Sequence, residues 1–309
     1  MKQKVVIIGH GYTSRLGIIR SLAELDCDIT IIAVDMHNWL GRMCRLEIGR
    51  PLDGFSKYVN RCIYCLKEDE EALIDILTHR CADPKRKVII IPDSDWSAAT
   101  VDKYYEQLKT AFIIPNVKHT AGLVKHWMDK TRQKQLAEEV GLNVAKGQVV
   151  SVKGGRYVMP EDVSYPCFTK ALITISGGKQ FLRRCDDKKA LRAVLDEVAR
   201  RFETDVLIED FKTIDDEYAV LGFSDGENVV IPGVIEFVAN SQSHFGIARE
   251  GRIRPVDGFE PLIALFQDYV RKMGFYGLFD IDFYKSGDEF YFGEMNLRFG
   301  GSGYAVTAM

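Results

Sequence analysis

Four residues near the end of the sequence carry the chemistry worth arguing first: Asp282, Glu294, Asn296 and Arg298, all within residues 277–303. Residues 279–284 alternate, with Phe279, Ile281 and Phe283 on one face and Asp280 and Asp282 on the other. Lys-Ser-Gly-Asp at 285–288 is turn chemistry, and 289–295 resumes as a strand. Period two places Glu294 and Asn296 on one face of that second strand. A hairpin closed over the turn brings Asp282 across from them. Two carboxylates and an amide oxygen suit a hard cation such as Mg²⁺, or Mn²⁺, which keeps water positions and bridges substrate phosphates. The bland alternative is a surface hairpin whose acids face solvent.

Upstream segments have the character of phosphate sites. Residues 170–179, Lys-Ala-Leu-Ile-Thr-Ile-Ser-Gly-Gly-Lys, read as a strand carrying Lys170, then a small loop of Ser176, Gly177, Gly178 and Lys179. Glycines let backbone N–H groups approach phosphate, and lysines supply charge. The Walker pattern is absent, and a plain hairpin turn is equally compatible with the residues. At the N-terminus an apolar run at 4–8 ends in Gly9-His10-Gly11, with Ser14 where a dinucleotide fingerprint needs its third glycine; the next glycine is Gly17. The tight turn is supported and the close approach of a pyrophosphate is not, so an anion at the helix terminus or a purely structural turn both stay open. Asp93, Ser94 and Asp95 follow another apolar strand and could meet substrate or cap the next helix.

These residues need elements to hold them. Strands are expected at 4–8, 28–34, 87–91 and 112–115, with helices to Leu25, over 68–80 and after Trp96, a β/α alternation that implies a parallel sheet. One helix or two are expected over 123–140, stopped by Gly141. Strands follow at 144–152, 163–172 and 206–211, the last turning acidic at Glu209 and Asp210; a helix spans 188–202. A strand opens at Asp216 before a turn at 224–227. Another, 229–238, contains Pro232 and is expected at a sheet edge. A helix over 260–273 precedes the hairpin. The fold class is α/β, becoming α+β in the C-terminal half.

Whole-chain properties narrow the function. A length of 309 residues allows two or three domains. The net charge of −3 gives no electrostatic reason to expect nucleic acid. The N-terminus has no signal-peptide core, and no apolar run approaches membrane length. Seven scattered cysteines suit a reducing cytoplasm; Cys62 and Cys65 form a lone CxxC, read as ordinary thiols rather than a zinc or redox site.

With these pieces in order the chain resembles the ATP-grasp superfamily along its whole length. The resemblance implies a Rossmann-like domain at 1–116, a small subdomain at 117–204 and a C-terminal subdomain at 205–309, with ATP held between the last two. Asp129-Lys130 looks like the family's first nucleotide lysine. Tyr165-Pro-Cys-Phe-Thr-Lys170 looks like the strand whose lysine contacts phosphate, and Ser176-Gly-Gly-Lys179 like the glycine loop over the phosphates. Residues 206–211 look like the adenine strand, with Glu209 at the adenine amino side and the backbone of Asp210 and Phe211 at the ring edge. Glu217 matches the acid that binds ribose hydroxyls. Asp282, Glu294 and Asn296 match the metal set within an F-x-E-M-N-x-R string, and Arg298 matches the arginine that stabilises the transferring phosphoryl group or the substrate carboxylate.

The likeness to D-aspartate ligase and other carboxylate–amine ligases implies acyl-phosphate chemistry on a small carboxylate and a small amine, with Lys179 and Arg298 as catalytic cations and a homodimer as one arrangement. The carbamoyl-phosphate synthetase large chain shares the same core. Family members usually continue further, whereas this chain stops eleven residues after Arg298, so a truncated chain or a minimal member is expected. The rivals are an NAD-dependent oxidoreductase using Gly9 to Gly17 and a non-catalytic ATP sensor.

Overall fold

The computed structural model describes residues 2–10, 12–35, 52–66, 68–173, 182–202, 204–240 and 248–301. Among these residues three sheets form. The first is parallel: β1 (Lys4–Gly9), β2 (Asp28–Asp35), β3 (Val59–Leu66), β4 (Val88–Pro92) and β5 (Phe112–Ile113), in the order β3-β2-β1-β4-β5. Val5, Val6, Ile7 and Ile8 are all buried because helices cover both faces. Val5 and Ile7 meet Ile18 and Ile19 of helix Tyr12–Glu24. Val6 and Ile8 meet Leu73 of helix Glu70–Ile76 and Val101 of helix Asp95–Lys103. Strand order reverses about β1, so Gly9 and Pro92 end side by side at a switch point, where open parallel sheets hold ligands.

The mixed polar and apolar sequence of β3 does not announce a strand. Its position disposes of the CxxC. Cys62 and Cys65 stand three apart on a strand and so face opposite sides of the sheet, each in a different core cluster. The helix expected over 68–80 begins at Glu70 and widens into a π turn at Leu77–Cys81.

After the short β6 (Asn116–Val117) the expected helix at 123–140 is two, Leu123–Trp127 and Lys130–Glu139. Gly141, at φ 91°, closes the second. The expected strand at 144–152 divides between sheets: β7 (Asn143–Val144) joins the third, and β8 (Gly147–Val150) the second. The second sheet is antiparallel, with β9 (Cys167–Ala171), β10 (Arg183–Cys185) and β11 (Val206–Asp210) in the order β10-β9-β11-β8. Helix Lys188–Arg201 covers it with Leu191, Leu195 and Val198, one stripe at helical spacing. Because β11 pairs with β8 and β9, this sheet runs to Asp210, past the boundary expected at 204/205.

The third sheet runs β15-β14-β12-β16-β17-β7 and is built from β12 (Asp216–Asp225), β14 (Val234–Asn240), β15 (Ala248–Arg254), β16 (Phe275–Ser286) and β17 (Glu289–Asn296); β13 (Val229–Val230) pairs with β12, and β6 with β16. Pro232 falls in the break between β13 and β14, since it has no N–H to give a ladder. β14 itself lies between β15 and β12, so the expected edge position is corrected. Helix Glu260–Met273 packs Phe266, Tyr269 and Val270 into the core with Tyr218, Phe279, Ile281 and Phe283. Gly274, at φ 74°, ends that helix. No described helix is long and apolar enough to cross a membrane.

Candidate active site

The hairpin forms as its alternation requires. β16 and β17 are antiparallel, with Asp282 opposite Glu294 and Asp280 opposite Asn296. A bulge at Gly293 decides which way Glu294 points. Phe292 and Met295 both enter the core although three residues apart, so the extra residue between them reverses the alternation. Unbroken alternation from Phe292 would turn Glu294 inward. A β-carbon on Gly293 would lie 2.8 Å from the Asp282 carbonyl oxygen, so glycine is what fits there.

The oxygen set draws in cations. Asn296 Nδ2 donates to Asp282 Oδ2 at 3.4 Å, and Arg298 Nη2 donates to Asn296 Oδ1 at 3.3 Å. Lys130 Nζ sits 2.6 Å from Glu294 Oε2. Burial pushes the Glu294 carboxyl up, but Lys130, Lys170 and Arg298 outweigh it and hold the group below its ordinary value. Asp280 is buried, and its Oδ1 has no hydrogen-bond partner among the described residues. Burial pushes it up to about 7 against the pull of Arg298. Its space is tight enough to require glycine at 300, where a β-carbon would strike Oδ2.

Helix Lys130–Glu139 supplies the next groups. Asp129 caps it, Oδ1 accepting from Thr131 N at 2.8 Å and Arg132 N at 3.3 Å. Lys130, Gln133 and Lys134 lie on one buried face. Gln133 exchanges two hydrogen bonds with the Met295 backbone, each 2.8 Å, and so locks the helix to β17 beside Glu294. Lys134 Nζ donates to Ala145 O at 2.7 Å and pairs with Glu209. Neither Gln133 nor Lys134 stands out in the sequence. The available signal was their spacing of three and four from Lys130.

Glu209 on β11 is buried and ion-paired with two lysines, Lys134 on Oε1 and Lys170 from β9 at 2.8 Å on Oε2. Burial raises its carboxyl, yet the two ammonium groups win and hold it below the ordinary value. With both carboxylate oxygens paired, the Glu209 side chain holds Lys134 and Lys170 together at the end of β11. The backbone N–H groups of Asp210 and Phe211 already donate to Lys146 O at 2.9 Å and Pro166 O at 3.2 Å. Beside them opens a cavity of about 630 Å³ lined by Asn143, Val144, Lys146, Asp210, Lys212 and Tyr291. Glu217 lies on β12 opposite Tyr284, whose ring stacks on Tyr291 at 5.5 Å. Ser176, Gly177, Gly178 and Lys179 lie outside the described residues.

At the switch point, three adjacent polar residues do three different things. Ser94 caps helix Asp95–Lys103 in a reciprocal arrangement with Ser97. Asp95 Oδ1 accepts from Arg298 Nε at 2.6 Å. The Asp93 side chain is buried, accepting from His10 N at 3.1 Å and lying 3.6 Å from Arg15 Nη1, while Arg15 also donates to Asp53 Oδ2 at 2.5 Å. The Asp93 carboxylate fills the space over Gly9 so closely that a β-carbon there would collide with it. A dinucleotide pyrophosphate would meet that acid where the fingerprint needs open backbone.

Comparison with known proteins fits the frame of three sheets. No protein-family model matches the chain. Its sequence is 21% identical over 298 residues to a formate-dependent phosphoribosylglycinamide formyltransferase of Wolinella succinogenes, covering 96% of this chain and 70% of that protein. Over 174 residues it is 26% identical to a carbamoyl phosphate synthase large chain of Clostridium acetobutylicum, covering 55% of this chain and 16% of that protein. An L-amino acid ligase from Bacillus licheniformis superposes with a TM-score of 0.69 at 16% identity, over 99% of this chain and 70% of its own. The chain has the ATP-grasp fold. Within that ATP-grasp frame, Lys130, Lys170, Glu209, Asp282, Glu294, Asn296 and Arg298 converge where helix Lys130–Glu139, the second sheet and the hairpin meet.

Proposed function

We propose that this chain is an ATP-dependent ligase that activates a small carboxylate as an acyl phosphate and passes the acyl group to an amine. The observation that carries this reading is the packing of three cations, Lys130, Lys170 and Arg298, around the oxygen set of Asp282, Glu294 and Asn296. Phosphoryl transfer needs positioning and charge neutralisation more than covalent help.

The donor set fits a hard divalent cation, because it is all oxygen and sits on paired strands. Among the described residues no three His, Cys, Asp or Glu side chains cluster as a metal site, so the set depends on the Asn296 amide. Asp282, Glu294 and Asn296 would hold Mg²⁺ or Mn²⁺, which when bound neutralises the β- and γ-phosphate oxygens. Lys170, kept charged by Glu209, would face phosphate. Arg298 offers a planar fork to a carboxylate or phosphoryl oxygen pair. Base recognition would fall to the main-chain oxygens at Asp210 and Phe211 beside the cavity, since their N–H groups already donate within the fold, and ribose recognition to Glu217. The six cysteines of the described residues are thiols rather than disulfides, which suits a reducing, cytoplasmic setting.

Glu294→Gln removes a charge and keeps the shape. It should lower acid-dependent ATP turnover by about a hundredfold or more while leaving the circular dichroism spectrum unchanged. Full turnover in the variant, still requiring Mg²⁺, would take Glu294 out of the site.

A further inference from the structure

We infer that Asp95 is a positioning residue for Arg298, so that the parallel-sheet half of the molecule orients a cation acting on the transferring group; this rests on the ligase reading. The two residues are 203 apart in sequence and meet at 2.6 Å, Asp95 Oδ1 accepting from Arg298 Nε. Both are sheltered, with side chains 15% and 18% exposed, so the pair is not a solvent-screened surface contact. Arg298 has five N–H donors. Among the described residues three are taken: Nε by Asp95, Nη1 by Phe299 O at 3.2 Å and Nη2 by Asn296 Oδ1 at 3.3 Å. What remains is one N–H on each terminal nitrogen, the pair that two oxygens of a carboxylate or phosphoryl group can bridge.

The helix start bearing Asp95 is held by other bonds besides this contact. Ser94 performs the helix capping that an aspartate there could otherwise be explained by. Pro92 O accepts from Phe299 N at 3.3 Å, and Phe299 is buried among Val5, Ile7 and Ile91 of the parallel sheet. Asp95 thus stands on a fixed support with its carboxylate committed to the guanidinium. It also lines, with Glu294 and Asn296, a small cavity of about 10 Å³, which places it at the edge of the reaction centre. Without Asp95, the guanidinium would keep its weaker terminal bonds and lose the one that fixes its long axis.

A double-variant cycle tests this, using Asp95→Asn, Asp95→Glu, Arg298→Lys, the pair Asp95→Asn with Arg298→Lys, and Ser94→Ala as a structural control. The readouts are kcat and KM for acid-dependent phosphate release, and melting temperature. Asp95→Asn should lower kcat about tenfold or more with the KM for ATP within about twofold, because the lost interaction belongs to the transition state. Asp95→Glu should recover part of that loss. Ser94→Ala should lower the melting temperature and leave kcat unchanged. The double variant should be no slower than Arg298→Lys alone, since residues acting as one unit are not additive. An unchanged kcat in Asp95→Asn overturns the inference, as do losses that multiply in the double variant. A wild-type protein that releases no phosphate with any acid overturns the ligase reading itself; an active wild type matched by Asp95→Asn overturns this inference alone.

Discussion

Asp93 shows what the switch point does to a single carboxylate. Burial pushes its pKa up to about 7, beyond what Arg15 and Arg298 pull back. An unfolded aspartate titrates near about 3.9. From about pH 4 to about 7 the native state therefore binds the extra proton, so this group's contribution to stability falls as pH rises through that window and stays low above it. Asp93→Asn keeps an acceptor for His10 N and removes the titration. The variant should match wild type at pH 4 and exceed it by pH 8, by about 1.4 kcal/mol for every pH unit that separates the native and unfolded midpoints. Urea melts at a series of pH values check this, and parallel profiles for the two proteins would contradict it. The acids at this scale were legible as residues, but their states were not. Sequence alternation put Asp280 on the acidic face, yet only the packed hairpin shows it buried beside Arg298. Glu209 was legible as an acid on a strand, but not its two lysine partners, Lys134 and Lys170, which come from different elements.

At the scale of elements, Gly293 carries the site. The alternating pattern of each strand could be read from the sequence, and so could the shared face of Glu294 and Asn296. The bulge could not, because one extra residue leaves no signature in a string that already alternates on both sides. It is nonetheless what keeps Phe292 in the core and Glu294 out of it. Gly293→Ala would set a methyl 2.8 Å from the Asp282 carbonyl oxygen, in backbone that has little room to yield. The expected cost is about 1–3 kcal/mol of stability, with turnover lost as Glu294 moves. Denaturant midpoints and phosphate release measure both, and wild-type values for each would show that the bulge does not set the site. The split of residues 143–150 between two sheets was hidden for a similar reason: apolar runs announce strands but not their partners.

For the whole molecule, the order of Lys130, Lys170, the acidic strand at Glu209 and the hairpin bearing Asp282, Glu294 and Asn296 was visible in sequence, and it is this order that the three sheets bring to one place. What sequence could not convey is how the parallel sheet joins in. Phe299 inserts into that sheet's core and Arg298 reaches Asp95, so the exit of β17 is fastened to a domain some two hundred residues earlier in the chain. The ligase reading stands or falls on whether this assembly makes an acyl phosphate. The decisive experiment incubates the protein with Mg-ATP, a panel of amino acids and dicarboxylates, and hydroxylamine, and assays phosphate and hydroxamate together. At least one acid should yield hydroxamate in step with ADP and phosphate. ATP consumption that yields hydroxamate from no acid would contradict the reading.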